Sequence, residues 1–286
     1  MKNDDLISAI KTSAFSGKLQ DGETYQGIGI ASVIQLSEAF DIVGWRVEKT
    51  ALENGILPER YIRNQKNISR KEQIRMLGST VSIVGLGGLG GTLVANLARA
   101  GVGTLRIIDG DRFEESNLNR QLFSSVSDLG KSKAEVAGKR IMQINPSIAV
   151  SVYNTVMEEK NASELIKGSD VVVDCLDNVN GRFVLEDAAR SEGIPLVSAA
   201  IGGETGHVTT IFPEDTGLTS VYGKRQKDGE KSVVRALGTP PHVVSVIASL
   251  ESAEVLKVLL DRNGILKNRL LIIDLAYYTF ETVHLG

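Results

Sequence analysis

The chain has 286 residues and a formal net charge of −3, and its 42% share of hydrophobic residues is enough for a sizeable core. This length suits one large domain or two smaller ones, and the near-balanced charge gives no electrostatic reason to expect nucleic acid or an anionic membrane as the main partner. The single cysteine excludes an internal disulfide and a four-cysteine zinc site, and it fits a reducing cytoplasm, where we expect the protein to work.

Neither a secretory signal nor a membrane span is predicted. The first residues, MKNDDLISAIKTSAFSG, contain no long apolar stretch behind a basic start. Residues 80–98 carry no charge and are long enough to span a bilayer, but they contain five glycines and several polar side chains. That composition favours a strand, a turn and a helix over a helix that faces lipid.

Residues 1–57 are predicted to form a small helical N-terminal extension. Apolar residues recur at helix-like spacing from Val33 to Val47, and Gly44 marks a break between two short helices. Two helices around a glycine are compatible with a helix-turn-helix, but the balanced charge argues against DNA. An extension packed on the main domain or on a dimer partner is favoured. The step from Leu57 to Pro58 is the predicted boundary, so that residues 58–286 form the second domain.

From residue 80 onward, strand-like and helix-like segments alternate. Strands are predicted over 80–84, 105–108, 148–153, 170–175 and 195–200, and helices over 89–100, 131–144, 158–166 and 182–191. This rhythm predicts an α/β fold with a doubly wound, Rossmann-like, mostly parallel sheet. Beyond residue 200, segments 206–213, 270–275 and 279–285 predict antiparallel strands beside one long helix over 242–260, and the charged segment 223–235 predicts a loop.

A glycine-rich turn lies between the strand over 80–84 and the helix that follows it. Gly85, Gly87 and Gly90, with Gly88 between them, form G-x-G-x-x-G, and Asp109 ends the next strand, 24 positions after Gly85. Bare backbone lets phosphate oxygens approach the positive end of a helix, and a carboxylate in this place accepts hydrogen bonds from ribose hydroxyls. The pattern predicts an adenine nucleotide, but it does not distinguish NAD from ATP.

Polar and cationic residues after Asp109 favour ATP. Asn117, Arg120 and Gln121 lie in one polar stretch, and Lys131 and Lys133 stand at the start of a predicted helix. Cations at a helix N-terminus oppose the helix dipole, so they are expected there when an anion offsets them. A triphosphate requires more neutralisation than the pyrophosphate of a dinucleotide.

Two carboxylates lie at the carboxyl end of the buried strand over 170–175. Asp174 and Asp177 stand at the carboxyl edge of the predicted sheet, where ligands of open α/β sheets bind. Mg²⁺ on a nucleotide usually meets one or two carboxylates. Asp177 is the better candidate, because Asp174 is placed to fix the turn through backbone hydrogen bonds.

Six segments together resemble the ThiF/MoeB/HesA family, relatives of the ubiquitin-activating enzymes. They are IVGLGGLGG, AGVGTLRIIDGDRFEESNLNRQ, GKSKAE, INPSI, VVVDCLDN and PLVSAAIGGETGHVTTIFP, and the likeness runs from about Arg60 to the C-terminus. The resemblance implies an enzyme that uses MgATP to adenylylate the C-terminal glycine of a small ubiquitin-like sulfur carrier of the ThiS or MoaD kind, which ends in Gly-Gly. The resemblance further implies that the carrier supplies sulfur for the biosynthesis of molybdenum or tungsten cofactor, or of thiamin.

The resemblance also implies roles for individual residues. Asp109 would bind ribose, Asn117, Arg120 and Lys133 would contact phosphates, and Asp177 would hold Mg²⁺. The segment RYIRNQ resembles the family's RYxRQ, so Arg63 would reach into the ATP site of a partner subunit, which implies a homodimer. The expected catalytic residues are Arg63, Arg120, Lys133 and Asp177, and the expected nucleotide-binding residues are Gly85, Gly87, Gly88, Gly90, Asp109, Asp111, Asn117, Arg120, Gln121, Lys133, Asp177 and Asn178.

The chain also departs from the family. Many relatives carry two C-x-x-C pairs that bind structural zinc, whereas the corresponding segment here, DTGLTSVYGK, contains no cysteine, so no zinc is expected. Many relatives carry a cysteine in the crossover loop, whereas EKSVVRALGTPPH has none. Cys175 ends an apolar strand and is interpreted as a core residue. The resemblance therefore supports adenylylation without a thioester on the enzyme, and the adenylate would pass to an external sulfur donor.

Three other functions remain open from the sequence alone. A NAD-dependent oxidoreductase is compatible with the glycine loop, although no Tyr-x-x-x-Lys pair appears near the sheet edge. A non-catalytic scaffold that binds a ubiquitin-like partner is a second alternative. Adenylylation of a different acceptor, a short peptide or a tRNA base, is a third. The three histidines, at 207, 242 and 284, are not spaced like a metal site.

Overall fold

The computed structural model describes residues 2–19, 22–225 and 237–285. The strands are β1 (Phe15–Lys18), β2 (Thr24–Ile28), β3 (Ile56–Pro58), β4 (Thr80–Val84), β5 (Thr104–Ile108), β6 (Ala149–Tyr153), β7 (Val171–Asp174), β8 (Leu196–Gly202), β9 (Thr205–Ile211), β10 (Arg269–Asp274) and β11 (Thr279–His284). The helices are α1 (Lys2–Ser13), α2 (Ile30–Phe40), α3 (Gly44–Glu53), α4 (Arg70–Leu77), α5 (Gly88–Ala100), α6 (Lys133–Ile144), α7 (Ala162–Ile166), α8 (Val179–Ser191), α9 (Thr219–Tyr222) and α10 (Pro241–Leu260). Short 3₁₀ turns span Glu59–Asn64, Glu115–Asn117 and Val126–Asp128.

The main sheet confirms the predicted fold class. In the described residues it has eight strands in the order β11-β10-β9-β8-β7-β4-β5-β6. Strands β6, β5, β4, β7 and β8 run parallel, and β9, β10 and β11 extend the sheet in antiparallel fashion. Side chains of successive strand residues alternate between two cores, so Ile83 and Val173 pack with α5, α6 and α10, while Val84 and Val172 pack with α7 and α8. Burial on both faces explains the uninterrupted valines of β7.

The strand order creates a crevice at one edge of the sheet. Strand β4 lies between β5 and β7, so the chain winds away from β4 in opposite directions on its two sides. Helices α5 and α8 begin at this edge, next to the carboxyl ends of β4 and β7. Open α/β sheets bind ligands at such a switch point.

The N-terminal extension contains strands as well as the predicted helices. Helices α1, α2 and α3 pack around a core of their own, which includes Ile10, Val33 and Val47. Strands β1 and β2 form an antiparallel hairpin, and β3 adds to β2 in parallel. These strands are not predicted by the sequence pattern, because β1 is short and largely exposed and so lacks apolar alternation. Gly44 begins α3, at the predicted break, and the boundary at residues 57 and 58 stays a prediction.

Helices α8 and α7 begin three and four residues away from their predicted starts, because asparagines form local hydrogen bonds. Asn178 Oδ1 accepts a hydrogen bond from the Gly181 N–H at 2.7 Å, so α8 starts at Val179 rather than at residue 182. Asn161 Oδ1 accepts from the Glu158 N–H at 2.8 Å, and α7 begins only after this turn. Most of the predicted loop over 223–235 lies outside the described residues.

Among the described residues, no helix is both long enough and apolar enough to cross a bilayer. The cytoplasmic location stays a prediction.

Candidate functional site

A cleft with a volume of about 870 Å³ opens at the carboxyl ends of β4, β5 and β7. The residues predicted to bind a nucleotide that line it are Gly85, Gly87, Gly88, Asp109, Asp111, Arg120, Gln121, Lys133, Asp177 and Asn178. A second pocket of about 510 Å³ shares the cationic residues of the cleft and adds Asn117 to its lining. The fold therefore brings most of the predicted site residues to one place, although they are spread over nearly 100 positions of the sequence.

The glycine turn between β4 and α5 lines the cleft with Gly85, Gly87 and Gly88. Gly85 has a φ of +93°, which favours glycine. A Cβ at Gly90 would lie 1.9 Å from the Gly85 carbonyl oxygen, so no side chain fits there. Gly90 thus shapes the turn without lining the cleft. No side chain caps the start of α5, so its first N–H groups and the positive end of its dipole are available to an anion.

Asp109 joins the glycine turn to the end of β5. Its Oδ2 accepts from the Leu86 N–H at 2.7 Å, and its Oδ1 accepts from the Asp111 N–H at 2.7 Å. Burial raises the pKa of Asp109, and these two N–H groups oppose that shift. The carboxylate is thereby fixed at the rim of the cleft, and each oxygen retains a lone pair with which to accept a hydrogen bond from a ligand hydroxyl.

Lys133 stands at the first position of α6 and points into the cleft. Its side chain is 9% exposed, and its Nζ lies 3.0 Å from Asp111 Oδ2, while the Asp111 side chain is 71% exposed. Ser132 caps the helix through its hydroxyl, which accepts from the Glu135 N–H at 3.3 Å. A buried ammonium at this end of a helix requires an anion, and a bound phosphate can take over the role of the exposed Asp111 carboxylate.

The polar stretch after β5 contributes Asn117, Arg120 and Gln121, of which Asn117 and Gln121 are buried. Asn117 Oδ1 accepts from the Glu114 N–H at 3.0 Å and so closes a 3₁₀ turn. Arg120 Nη1 donates to the Ser116 carbonyl oxygen at 2.8 Å, which holds the guanidinium at the cleft. Gln121 Oε1 is buried and has no hydrogen-bond partner. An unsatisfied carbonyl oxygen in a cleft wall fits a ligand that brings its own donor.

Asp177 lines both pockets. In the described part of the chain no group of three or more His, Cys, Asp or Glu side chains is arranged to hold a metal. Nucleotide-bound Mg²⁺ takes one or two protein carboxylates and completes its shell with phosphate oxygens and water, and Asp177 is the carboxylate predicted to bind it. Asn178 also lines the cleft, although its Oδ1 is engaged in capping α8.

Arg182 is a site residue that the sequence analysis missed. It lies on α8, lines the cleft and is 5% exposed. Its Nη1 donates to Asp174 Oδ2 at 2.7 Å and to the Ala199 carbonyl oxygen at 2.7 Å, and its Nη2 donates to the Leu176 carbonyl oxygen. This buried ion pair holds the turn that carries Asp177. The available signal was an arginine in the first turn of the helix that follows a buried strand ending in Asp174.

The surroundings of Cys175 favour an unreactive thiol. Its Sγ lies 3.7 Å from Glu251 Oε2, and it is 9% exposed. Burial raises the pKa of the Cys175 thiol well above its ordinary value, and the nearby Glu251 acts in the same direction. A thiol that stays protonated is a poor nucleophile, which agrees with the interpretation of Cys175 as a core residue.

The histidines do not form a metal site in the described residues. His207 Nε2 lies 3.0 Å from Tyr222 Oη. Burial, assisted by the Arg182 charge, lowers the pKa of His207 to about 4, so the ring is neutral at physiological pH. His242 is exposed and lies 2.9 Å from Glu204 Oε2.

Arg63 is exposed on the 3₁₀ turn Glu59–Asn64 and does not line the cleft of its own chain. Within one chain, Arg63 is therefore separated from the other predicted catalytic residues, Arg120, Lys133 and Asp177, which line the cleft.

Comparison with known sequences identifies relatives for most of the chain. The ThiF family profile matches residues 60–286. The SAMP-activating enzyme E1 of Haloferax volcanii is 36% identical over 227 residues, which cover 79% of this chain and 84% of the relative. The sulfur carrier protein adenylyltransferase of Thermus thermophilus is 34% identical over 232 residues, which cover 78% and 85%. Other relatives are longer, and the chain spans 58% of the adenylyltransferase and sulfurtransferase MOCS3 of Dictyostelium discoideum.

Comparison with solved structures shows the same fold. E. coli MccB, crystallised with SeMet MccA, superposes with a TM-score of 0.70 over 96% of this chain and 95% of MccB, at 20% identity. MccB has also been solved with ATP. A match over this share of the chain takes in most of the N-terminal extension, which the family profile leaves out. Since the profile covers residues 60–286 and the relatives named above exceed 30% identity over most of the chain, this protein belongs to the ThiF family.

Proposed function

We propose that this protein is an adenylyltransferase that uses MgATP to adenylylate the C-terminal glycine of a small ubiquitin-like sulfur carrier. One observation carries the proposal. A glycine turn, the cationic side chains of Arg120 and Lys133, and the carboxylate of Asp177 line the same cleft, a combination suited to a magnesium triphosphate. The Thermus thermophilus relative, a sulfur carrier protein adenylyltransferase, supports the choice of acceptor.

The reaction requires alignment and charge neutralisation more than proton transfer. A carboxylate oxygen of the acceptor forms a bond to the α-phosphorus of ATP, and the bond from that phosphorus to the departing pyrophosphate breaks. Both reactants are anions, so Arg120 and Lys133 would offset the phosphate charge while Asp109 orients the ribose. Magnesium held by Asp177 would supply further positive charge at the phosphate oxygens.

NAD is disfavoured by the same cleft. The buried Lys133 ammonium and Arg120 both line it, and a triphosphate brings more negative charge for these cations to offset than the pyrophosphate of a dinucleotide does. The structural neighbour MccB, which has been solved with ATP, agrees with this choice.

A homodimer with an Arg63 that acts on the partner's nucleotide is part of the proposal. Arg63 is exposed and lies outside its own cleft. The segment after the cationic stretch exposes Leu122 at 56% and Val126 at 77%, and a second copy of the chain would cover such side chains. An external sulfur donor would then consume the adenylate, because the buried Cys175 is unsuited to a thioester.

A peptide acceptor is the second candidate. The fold of MccB, solved with SeMet MccA, matches this chain through most of the N-terminal extension, whereas the family profile begins at residue 60. An acceptor that contacts the extension as well as the cleft would explain why this part of the fold is shared.

Exchange of labelled pyrophosphate into ATP tests the proposed function, because it requires reversible formation of an acyl-adenylate. We expect exchange that depends on a ubiquitin-like protein ending in Gly-Gly, that disappears when its last glycine is deleted, and that yields an AMP adduct by intact mass. The same assay with short peptides in place of the carrier tests the peptide acceptor, because exchange that depends on a peptide and not on the carrier would favour it. Binding of NAD without binding of ATP, measured by calorimetry, would contradict both.

Cys175→Ser is expected to leave the exchange rate within about twofold of wild type, because the thiol is buried and protonated. Non-reducing electrophoresis with the carrier and ATP provides the control for a covalent step. A carrier–enzyme conjugate that forms with wild type and disappears in Cys175→Ser would refute the proposed external sulfur donor.

A further inference from the structure

A buried group of polar side chains joins the N-terminal extension to the main domain. Glu48 lies on α3, Tyr61 on the 3₁₀ turn Glu59–Asn64, and Asn145 at the end of α6. Each is at most 1% exposed. Tyr61 Oη donates to Glu48 Oε2 at 3.0 Å, and Asn145 Nδ2 donates to Tyr61 Oη at 3.1 Å. One hydroxyl therefore connects the extension, the segment that carries Arg63, and the main domain.

The two sides of this junction are held close together by further contacts. Asn145 Nδ2 also donates to the Ala98 carbonyl oxygen at 2.9 Å, and its Oδ1 accepts from the Ser147 N–H at 3.1 Å. From the extension, the Trp45 N–H donates to the Ser147 carbonyl oxygen at 2.6 Å. A Cβ at Gly44 would lie 2.7 Å from Ser147 Cα, so the start of α3 presses against the main-domain backbone. The junction is consequently a close-packed contact.

The Tyr61 ring also contacts the helices that form the nucleotide cleft. A Cβ at Gly101, which ends α5, would lie 2.6 Å from Tyr61 Cζ. Tyr61 thus meets the carboxyl ends of α5 and α6, whose amino ends carry the glycine turn and Lys133. Since α5 has 13 residues, it separates Tyr61 from the cleft by about 20 Å. Arg63 stands two residues after Tyr61 on the same 3₁₀ turn, and so lies near the carboxyl end of α5 rather than near the cleft.

We propose that Tyr61, held by Glu48 and Asn145, is a positioning residue for Arg63, so that the N-terminal extension determines where Arg63 meets the partner's cleft. The inference rests on the proposed role of Arg63 in a second copy of the chain. Arg63 itself is exposed, so its direction depends on the 3₁₀ turn beneath it, and that turn is fixed through Tyr61. A displacement of about 1 Å in a catalytic group can cost up to 10²-fold in rate.

Tyr61→Phe tests the role of the hydroxyl, because it keeps the ring against Gly101. We expect faster hydrogen–deuterium exchange in a peptide covering residues 59–66 and unchanged exchange over residues 85–91. With the Gly-Gly carrier that best supports pyrophosphate exchange in wild type, we expect a loss of about tenfold in rate, at an unchanged Kd for the ATP analogue AMPCPP. Tyr278→Phe, at an 82% exposed tyrosine, is the matched control and should change nothing.

Two further variants separate positioning from a general loss of structure. Glu48→Gln keeps an acceptor for the Tyr61 hydroxyl and is expected to stay within about threefold of wild type. Added to Arg63→Ala, Tyr61→Phe should have no further effect, because the group that it positions is gone. The proposal is overturned by unchanged hydrogen exchange over residues 59–66, by a wild-type rate in Tyr61→Phe, or by an equal loss with and without Arg63. Absence of carrier-dependent exchange in wild type would refute the proposed function instead, and the hydrogen-exchange result would still decide whether Tyr61 holds this turn.

Discussion

Arg63→Ala should lower the rate of ATP–pyrophosphate exchange by at least about 100-fold, somewhat less than the 10³–10⁵ that arginine fingers contribute in related phosphoryl transfers. The physical reason is the loss of a positive charge from a transition state in which two anions approach each other. Because Arg63 is exposed, the thermal unfolding midpoint of the free protein should not change. Exchange within about threefold of wild type would remove Arg63 from the catalytic residues.

Mixing two inactive variants shows whether Arg63 acts in the partner's cleft. Arg63→Ala retains Lys133, and Lys133→Ala retains Arg63, so a heterodimer of the two contains one complete site if the arginine acts across the interface. Random mixing makes half of the dimers heterodimers, each with one of two sites complete, so roughly a quarter of wild-type activity should return. No recovery, under conditions where subunits demonstrably exchange, would place the function of Arg63 within its own chain.

Arg182→Met is expected to lower the free energy of unfolding by about 3–5 kcal/mol, because it leaves the Asp174 carboxylate buried without its partner. Asp174 is 0% exposed, and the pair is joined at 2.7 Å. Urea unfolding followed by circular dichroism measures the loss. Arg140→Met is the matched control, since Arg140 is 43% exposed and 3.3 Å from Asp128, and should cost less than about 1 kcal/mol.

The double variant Asp174→Asn/Arg182→Met provides a stricter test of the same pair. With the buried charge neutralised, the double variant should lose less stability than the sum of the two single variants. An Arg182→Met protein within about 1 kcal/mol of wild type would mean that solvent reaches Asp174 and that the turn carrying Asp177 is held by other contacts.

The parts that were predicted from sequence are those with local patterns. Strand β4 was predicted with its observed bounds, because an apolar run followed by the glycine turn has few other interpretations. Asp109 was predicted because it comes directly after β5, and Lys133 because it stands at the start of α6, and both ends lie at the same edge of the sheet. The parts that were missed depend on long-range contacts. Arg182 shows no sequence signal for the direction of its side chain, and Tyr61 meets Asn145 across 84 positions.

The single cysteine, which is buried, has a practical consequence for measuring assembly in solution. Because Cys175 is the chain's one thiol and is 9% exposed, a cysteine introduced at an exposed site can be labelled selectively while the native residue stays in place. A spin label attached at Tyr278→Cys would then report one distance between paired copies by double electron–electron resonance, and an isolated copy would give no such distance. The arrangement of subunits is thereby open to direct measurement, independently of any enzymatic assay.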